Sequence, residues 1–427
     1  MRERIVRKIS DNPELAAFLL AVFALGITNG VFQTTYNNYL DDVFQISATQ
    51  RGMMEFPREL PGFLVALLTG ALFFLVENRV GAIAALLTGI GMFGLGLVEQ
   101  SWAGLLIFTV VWSMGQHIDM PMRSAIAMSL GTDRQHGRRL GQAAGTRVGA
   151  NVVGALFVWL VIDYVGQNYL LTFFFGGVAA MVAALLYLRI RLQPTYHQRE
   201  KLVIRKEYSV YYALSTIYGA RKQIFVTFAP WLLVTIYGEP ASTIAKLWIA
   251  SSVIGVFFHH GLGTLIDTWG ERNVLIADGF VVALICLGYA FAENIGLPGA
   301  WPVRLIYVLY VCDHMLLGIE NARSAYLAKI AQRPEHVSAS LSMGITLNHL
   351  VAMLVPFFGG AYIWDVFGHQ WVFVAGAAVS LVTMMIATLA RTPRYGEGAP
   401  ERREDDGVKR LARRDGETGR DELHGDD

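Results

Sequence analysis

The stretch GQHIDMPMRSA (residues 115–125) sets His117, Asp119 and Arg123 between the apolar runs AGLLIFTVVWSM and AIAMSL. At about 100° per residue in a helix, Gln116, Asp119 and Arg123 share one face, and His117 points away from it. A second stretch, VCDHMLLGIENARSA (residues 311–325), puts Asp313, Glu320 and Ser324 on one face, with His314 and Asn321 on the adjoining strip. Carboxylates, imidazoles and guanidinium groups in apolar surroundings can pair, exchange protons as water reaches them, or hold a polar solute. Asp119 with Arg123 and Glu320 with Arg323 can also neutralise one another within a single helix. Asp313 and His314 are the pair best placed for proton exchange; His117 reads as a packing histidine.

Composition dictates what must position these groups. The chain has 427 residues, 54% hydrophobic and only 16% charged, which is too apolar for an ordinary soluble domain. Its apolar residues come in blocks, from Leu15–Thr28 to Trp371–Ala390. Each block with its flanks reaches the roughly 20 residues that cross a hydrocarbon core, giving about twelve spans. Within lipid the backbone must bond to itself, so the spans are helices and the fold class is an all-α polytopic membrane protein. No small-residue cleavage site follows the first block, and Asn29–Tyr39 continues it as helix, so it reads as a span and not as a signal peptide.

Cations mark the even-numbered connections: Arg79; Arg134, Arg138 and Arg139; the stretch Arg189–Lys206; Arg272; and Lys329 with Arg333. The amino terminus carries Arg2, Arg4, Arg7 and Lys8, and the last span is followed by Arg391 and Arg394. Odd-numbered connections carry Asp41, Asp42, Glu99, Glu239, Glu293 and Asp365. The positive-inside rule then expects both termini in the cytoplasm and the protein in the inner or plasma membrane.

The polar stretch 189–208 divides the chain into a half at 1–188 and a half at 209–391, with a charged tail at 392–427 that has no apolar face. A weak repeat supports the division. Arg123-Ser124-Ala125 recurs as Arg323-Ser324-Ala325, His136 as His336, and Asp163-x-x-Gly166 as Asp365-x-x-Gly368.

Two six-helix halves joined by a basic loop resemble the major facilitator superfamily. The most specific mark of the resemblance is the loop motif G-x-L-x-D-x-x-G-x-R, which stands complete as Gly263-Thr-Leu265-Ile-Asp267-Thr-Trp-Gly270-Glu-Arg272. An earlier copy keeps Arg79 and Gly81 but has Asn78 for the acid and Phe74 for the first glycine. The resemblance implies a two-half, twelve-helix fold in which spans 1, 4, 7 and 10 line a central cavity and the halves rock about it. The cytoplasmic gate would then comprise Gly263, Asp267, Gly270, Arg272, Asn78, Arg79 and Gly81, with Arg123 and Arg323 beside it. Asp267 would latch onto the start of span 5 near Arg138 and Arg139.

The candidate cavity residues are Asp119, Asp313, His314 and Glu320, with Gln33, Tyr36 and Asn37 on span 1. Arg221 on span 7 would join them, attracting an anionic group if it faces the cavity, or else snorkel with Lys222 to the interface. Arg58 and Glu59 read as pairing at the interface, and Gly141, Gly145 and Gly149 as a stripe that lets another helix approach. The helix-5 proline-glycine signature of drug antiporters is absent from span 5; PFFGG (356–360) looks like a fragment of it on span 11. No phosphate-binding G-x-x-x-x-G-K-[ST] loop is present, and His259-His260 lacks a second ligand pair. Cys286 and Cys312 read as core thiols. The expectation is therefore no enzyme, no cofactor, no metal and no nucleic acid. It is a monomeric secondary transporter, by symport, antiport or efflux, of a small-molecule substrate, with protons as the coupling ion. A lipid or lysolipid flippase and a non-transporting sensor of the same fold are the alternatives.

Overall fold

The computed structural model describes residues 12–65, 68, 72, 75–131, 135–192 and 204–391. The basic residues of 1–11, Phe74, Arg134, most of the dividing stretch and the tail from 392 lie outside them. Among the described residues the structure is helical, without strands.

The first span is α1 (Pro13–Phe44), which starts where the Asn12 side chain accepts the Leu15 amide at 3.0 Å and Pro13 fixes the first turn. The second begins as two short helices, α2 (Ala48–Met53) and α3 (Glu55–Phe63), with Pro61 inside α3. There follow α4 (Glu77–Leu97), α5 (Trp102–Ser129), α6 (His136–Tyr164) and α7 (Tyr169–Arg189). The later group comprises α8 (Ser209–Gln223), α9 (Ala229–Thr235), α10 (Ala241–Trp269), α11 (Glu271–Phe291), α12 (Trp301–Leu316) and α13 (Glu320–Ile330). It ends with α14 (Pro334–Val355), α15 (Ala361–Phe367) and α16 (His369–Thr388). A π turn at 224–228 joins α8 to α9, and another at 356–360 joins α14 to α15.

Among the described residues, nine helical stretches are long and apolar enough to cross a membrane. α2, α3, α5 and α8 are not among them, and these are the helices into which the chain puts Arg51, Glu55, Asp119 and Arg221.

In lipid, small residues and close contact hold helices together more than the removal of apolar surface from water does. α1 and α6 meet backbone to backbone: a Cβ on Gly30 would stand 2.2 Å from the Asn151 carbonyl oxygen, and one on Gly154 2.3 Å from that of Ile27. Apolar clusters lie within each group of helices, and one is shared, where Trp231, Ala241 and Ala245 pack with Val31, Tyr39 and Val158.

Hydrogen bonds and ion pairs between the two groups lie at mid-bundle and toward one end. Asn38 Nδ2 donates to the Glu239 carbonyl at 2.8 Å, the Thr49 amide to Asp365 Oδ2 at 3.0 Å, and Lys246 Nζ to Asp163 Oδ2 at 2.9 Å. At the other end, a Cβ on Gly141, Gly145, Gly149, Gly261 or Gly263 would meet nothing within 4 Å. The glycine stripe of α6 therefore does not pack a helix in this arrangement. Bonds thus join the groups at the end with Asp163, Glu239 and Asp365. The parted end is the one with Arg139 and Asp267, where exposed glycine faces stand open among the described residues.

Candidate functional site: three buried charge clusters

The first cluster lies between the groups. The break between α2 and α3 turns Arg51, Glu55, Arg58 and Glu59 inward, where all four are less than 10% exposed. This corrects the expectation that Arg58 and Glu59 pair at the interface. The charges alternate: Arg51 pairs with Glu55, Glu55 with Arg58, and Arg58 Nη2 with Glu59 Oε1 at 2.6 Å. Asn37 Oδ1 accepts from Arg51 Nε at 2.9 Å, and the Tyr36 hydroxyl bonds Thr109 Oγ1 at 2.9 Å. Gln33 is half-buried and makes no hydrogen bond among the described residues. From the other group, Gln223 donates to Glu55, and His349 Nδ1 meets Glu59 Oε2 at 2.9 Å. His117 approaches the same oxygen, its Nε2 at 4.0 Å, so it belongs to this cluster and is more than packing. Glu59, His117 and His349 thus bring three metal-type donor atoms within 4.8 Å of one another.

The second cluster lies within the earlier group. Asp119, fully buried, pairs with Arg123, accepts from the Tyr187 hydroxyl at 2.9 Å and faces Arg147 Nη1 at 3.5 Å. Arg147 Nη2 also donates to Gln116 Oε1 at 2.9 Å. Two guanidinium groups share one carboxylate, so the cluster carries a formal excess of one positive charge. Arg123 and Arg147 line a cavity of about 400 Å³ between α5 and α6, together with Ser124 and Asn151. Sequence reasoning passed over Arg147, although an arginine in the middle of an apolar span was itself a signal.

The third cluster lies inside the later group. Arg221, 1% exposed, pairs with Asp278 of α11, so it neither faces the cavity nor snorkels. Asp313 stands within electrostatic range of both, and neither of its oxygens has a hydrogen-bond partner. His314 lies 3.8 Å from Asp313 without a hydrogen bond to it; its Nδ1 sits 3.2 Å from the Tyr310 carbonyl and its ring packs on Tyr310 and Trp248. Here two carboxylates lie in the field of one guanidinium, and only Asp278 pairs with it. Glu320 is exposed and does not pair with Arg323; the 3-10 turn 317–319 precedes it, and Arg323 lies over the Tyr218 ring at 3.5 Å. Lys222 Nζ reaches Asn348 Oδ1 at 3.5 Å.

The loop motif sits at the parted end. Gly270 has φ +79°, ends α10 and starts α11, a backbone conformation that a side chain would strain. Gly263, Asp267 and Arg272 are exposed, and Asp267 and Arg272 have no ionic partner among the described residues. Arg139 bonds Gln142 at 3.0 Å and makes no ion pair with Asp267. In the earlier copy, Asn78 is buried and its amide donates to the Ile190 carbonyl at 2.8 Å and that of Tyr187 at 3.3 Å. Arg79 is exposed, and Gly81 lies against the Tyr187 ring.

The architecture is that of a polytopic helical protein that buries charge between two groups of helices. The family model of the Major Facilitator Superfamily matches residues 18–322, and the chain belongs to this superfamily. Its fold is similar to that of the nucleoside transporter NupG (TM-score 0.71, 14% identity, covering 89% of this chain and 99% of that one). It is also similar to the POT family transporter PepTSo (0.70, 12%, 88% and 97%) and to a D-xylose-proton symporter (0.68, 12%, 89% and 98%). A comparison with curated proteins finds no match. The chain is a transport protein of the membrane and not an enzyme.

Proposed function

We propose that the protein is a secondary active transporter that moves a small organic anion by alternating access, coupled to protons. The single observation that carries the coupling is the third cluster. Asp278 takes the ion pair with Arg221, and Asp313 is buried beside them with neither oxygen hydrogen-bonded. An uncompensated carboxylate is costly inside a membrane protein, and one exchangeable proton removes the excess charge. The preference for an anion rests on the second cluster, whose extra guanidinium lines the cavity.

The reading takes 1–188 and 209–391 as the two rocking halves, acting as a monomer, joined by 189–208 and followed by a cytoplasmic tail. By the positive-inside rule the parted end faces the cytoplasm and both termini lie there, in the inner or plasma membrane. Asp267 then latches the cytoplasmic side only when that side closes.

A thermal-shift screen of purified protein tests the substrate class, because a ligand of the folded state raises its melting temperature. Small organic anions are expected to stabilise the wild type, and Arg147→Ala to lose that response. Stabilisation by neutral solutes alone, or by lysolipids alone, would overturn the anion assignment.

A further inference from the structure

At the seam between the two groups, Gly62 stands one helical turn beyond Glu59 on α3, on the same face. A Cβ on Gly62 would lie 2.6 Å from His117 Nε2 and 2.7 Å from His349 Nδ1. The missing side chain is what lets two imidazoles, one from α5 and one from α14, converge on a single carboxylate oxygen. Their rings stand 5.0 Å apart, edge to face.

The tautomer of His117 follows from its surroundings. Its Nδ1 lies 2.9 Å from the Ser113 carbonyl oxygen, which can only accept, so Nδ1 carries the proton and Nε2 offers its lone pair toward Glu59. A ring nitrogen held by a backbone carbonyl while the other faces outward is the arrangement that orients metal-binding histidines. The Ser113 hydroxyl is itself held, donating to the Arg58 carbonyl.

We propose that Glu59, His117 and His349 form a site for a divalent transition-metal cation of the zinc type, bridging the two groups of helices. Zinc bound tetrahedrally at 2.0–2.1 Å places its donors roughly 3.3–3.4 Å apart. The separations from Glu59 Oε2 are 2.9 Å to His349 and 4.0 Å to His117, and the three donors lie within 4.8 Å of one another. The two separations from Glu59 differ from that spacing by less than about 1 Å, within reach of side-chain rotation. The metal takes the position of the proton shared by His349 Nδ1 and Glu59, and His349 keeps a proton on Nε2. The fourth position falls to water or to an anion. Arg58 does not compete for the site. It binds the other Glu59 oxygen, and its charge is balanced by Glu55, as the charges of Arg51, Glu55, Arg58 and Glu59 sum to zero. Two nitrogens and one oxygen favour zinc, nickel, cobalt or copper over calcium or magnesium, which prefer oxygen donors.

The test uses full-length protein stripped with EDTA, then titrated with zinc chloride, with magnesium chloride as the control. The expected result is a saturable rise in melting temperature at one zinc per chain, absent with magnesium. His349→Ala and Gly62→Ala should weaken the zinc response by roughly tenfold or more, and the double change His259→Ala/His260→Ala should leave it unchanged. X-ray absorption at the zinc edge of the wild type, which does not depend on any variant folding, should show two imidazole ligands and one carboxylate. No response to zinc, a response abolished by His259→Ala/His260→Ala, or an absorption spectrum without imidazole would overturn the proposal.

Discussion

Asp278, from α11, pairs with the guanidinium of Arg221, and Asp313, from α12, lies within electrostatic range of both without a hydrogen bond to either. The mirror imbalance stands in the earlier group, where Arg123 and Arg147 share Asp119. Taken alone, the later cluster is short of a positive charge, and the earlier one has one to spare beside a cavity. A proton and an anionic solute are the species that would balance each.

The proton has a spectroscopic signature that needs no substrate. Infrared spectra of the reconstituted wild type at neutral pH should contain a protonated-carboxyl stretching band that Asp313→Asn removes. A spectrum identical in the two proteins would show that Asp313 is ionised at rest.

Arg221 is buried against Asp278, so its removal strands a charge. Arg221→Ala should destabilise the protein by about 3–5 kcal/mol, whereas Arg221→Met combined with Asp278→Leu should recover most of that loss. Denaturation in detergent measures both. A double variant no more stable than Arg221→Ala would mean that the pair contributes through something other than mutual neutralisation.

The two copies of the loop motif do different work. Asn78 uses its amide to donate to carbonyls at the end of α7, a role a carboxylate cannot fill. Asn78→Asp should therefore lower stability by about 1–3 kcal/mol, the cost of leaving buried acceptors unsatisfied. Asp267→Ala, at an exposed site, should change stability by less than about 0.5 kcal/mol. It should instead raise the labelling of cysteines placed along α5 and α13 from the parted side. Unchanged labelling would remove the latch.

Much of the architecture was legible because lipid imposes a length and composition on each span. Among the described residues the apolar blocks became helices, and the turn at Gly270 needed a glycine that the motif supplied. The clusters were legible only in part. Asp119 and Arg123 are neighbours on one helix, so spacing alone paired them. Arg221 and Asp278 are 57 residues apart, and Glu59 and His349 are 290 apart; no periodicity reports such a meeting. Arg58 and Glu59 were misplaced for another reason. Their position near the start of a span suggests an interface, and only the break between α2 and α3 turns them inward.

Coupling is tested most directly in proteoliposomes, with a solute chosen because it stabilises the wild type. The account predicts that wild-type protein concentrates this solute under an imposed proton gradient. Asp313→Asn, which keeps size and hydrogen bonding but cannot titrate, should exchange solute across the membrane and fail to accumulate it. Accumulation by Asp313→Asn against the solute's own gradient would contradict the account and move the search for the proton carrier to Asp119 and Glu320.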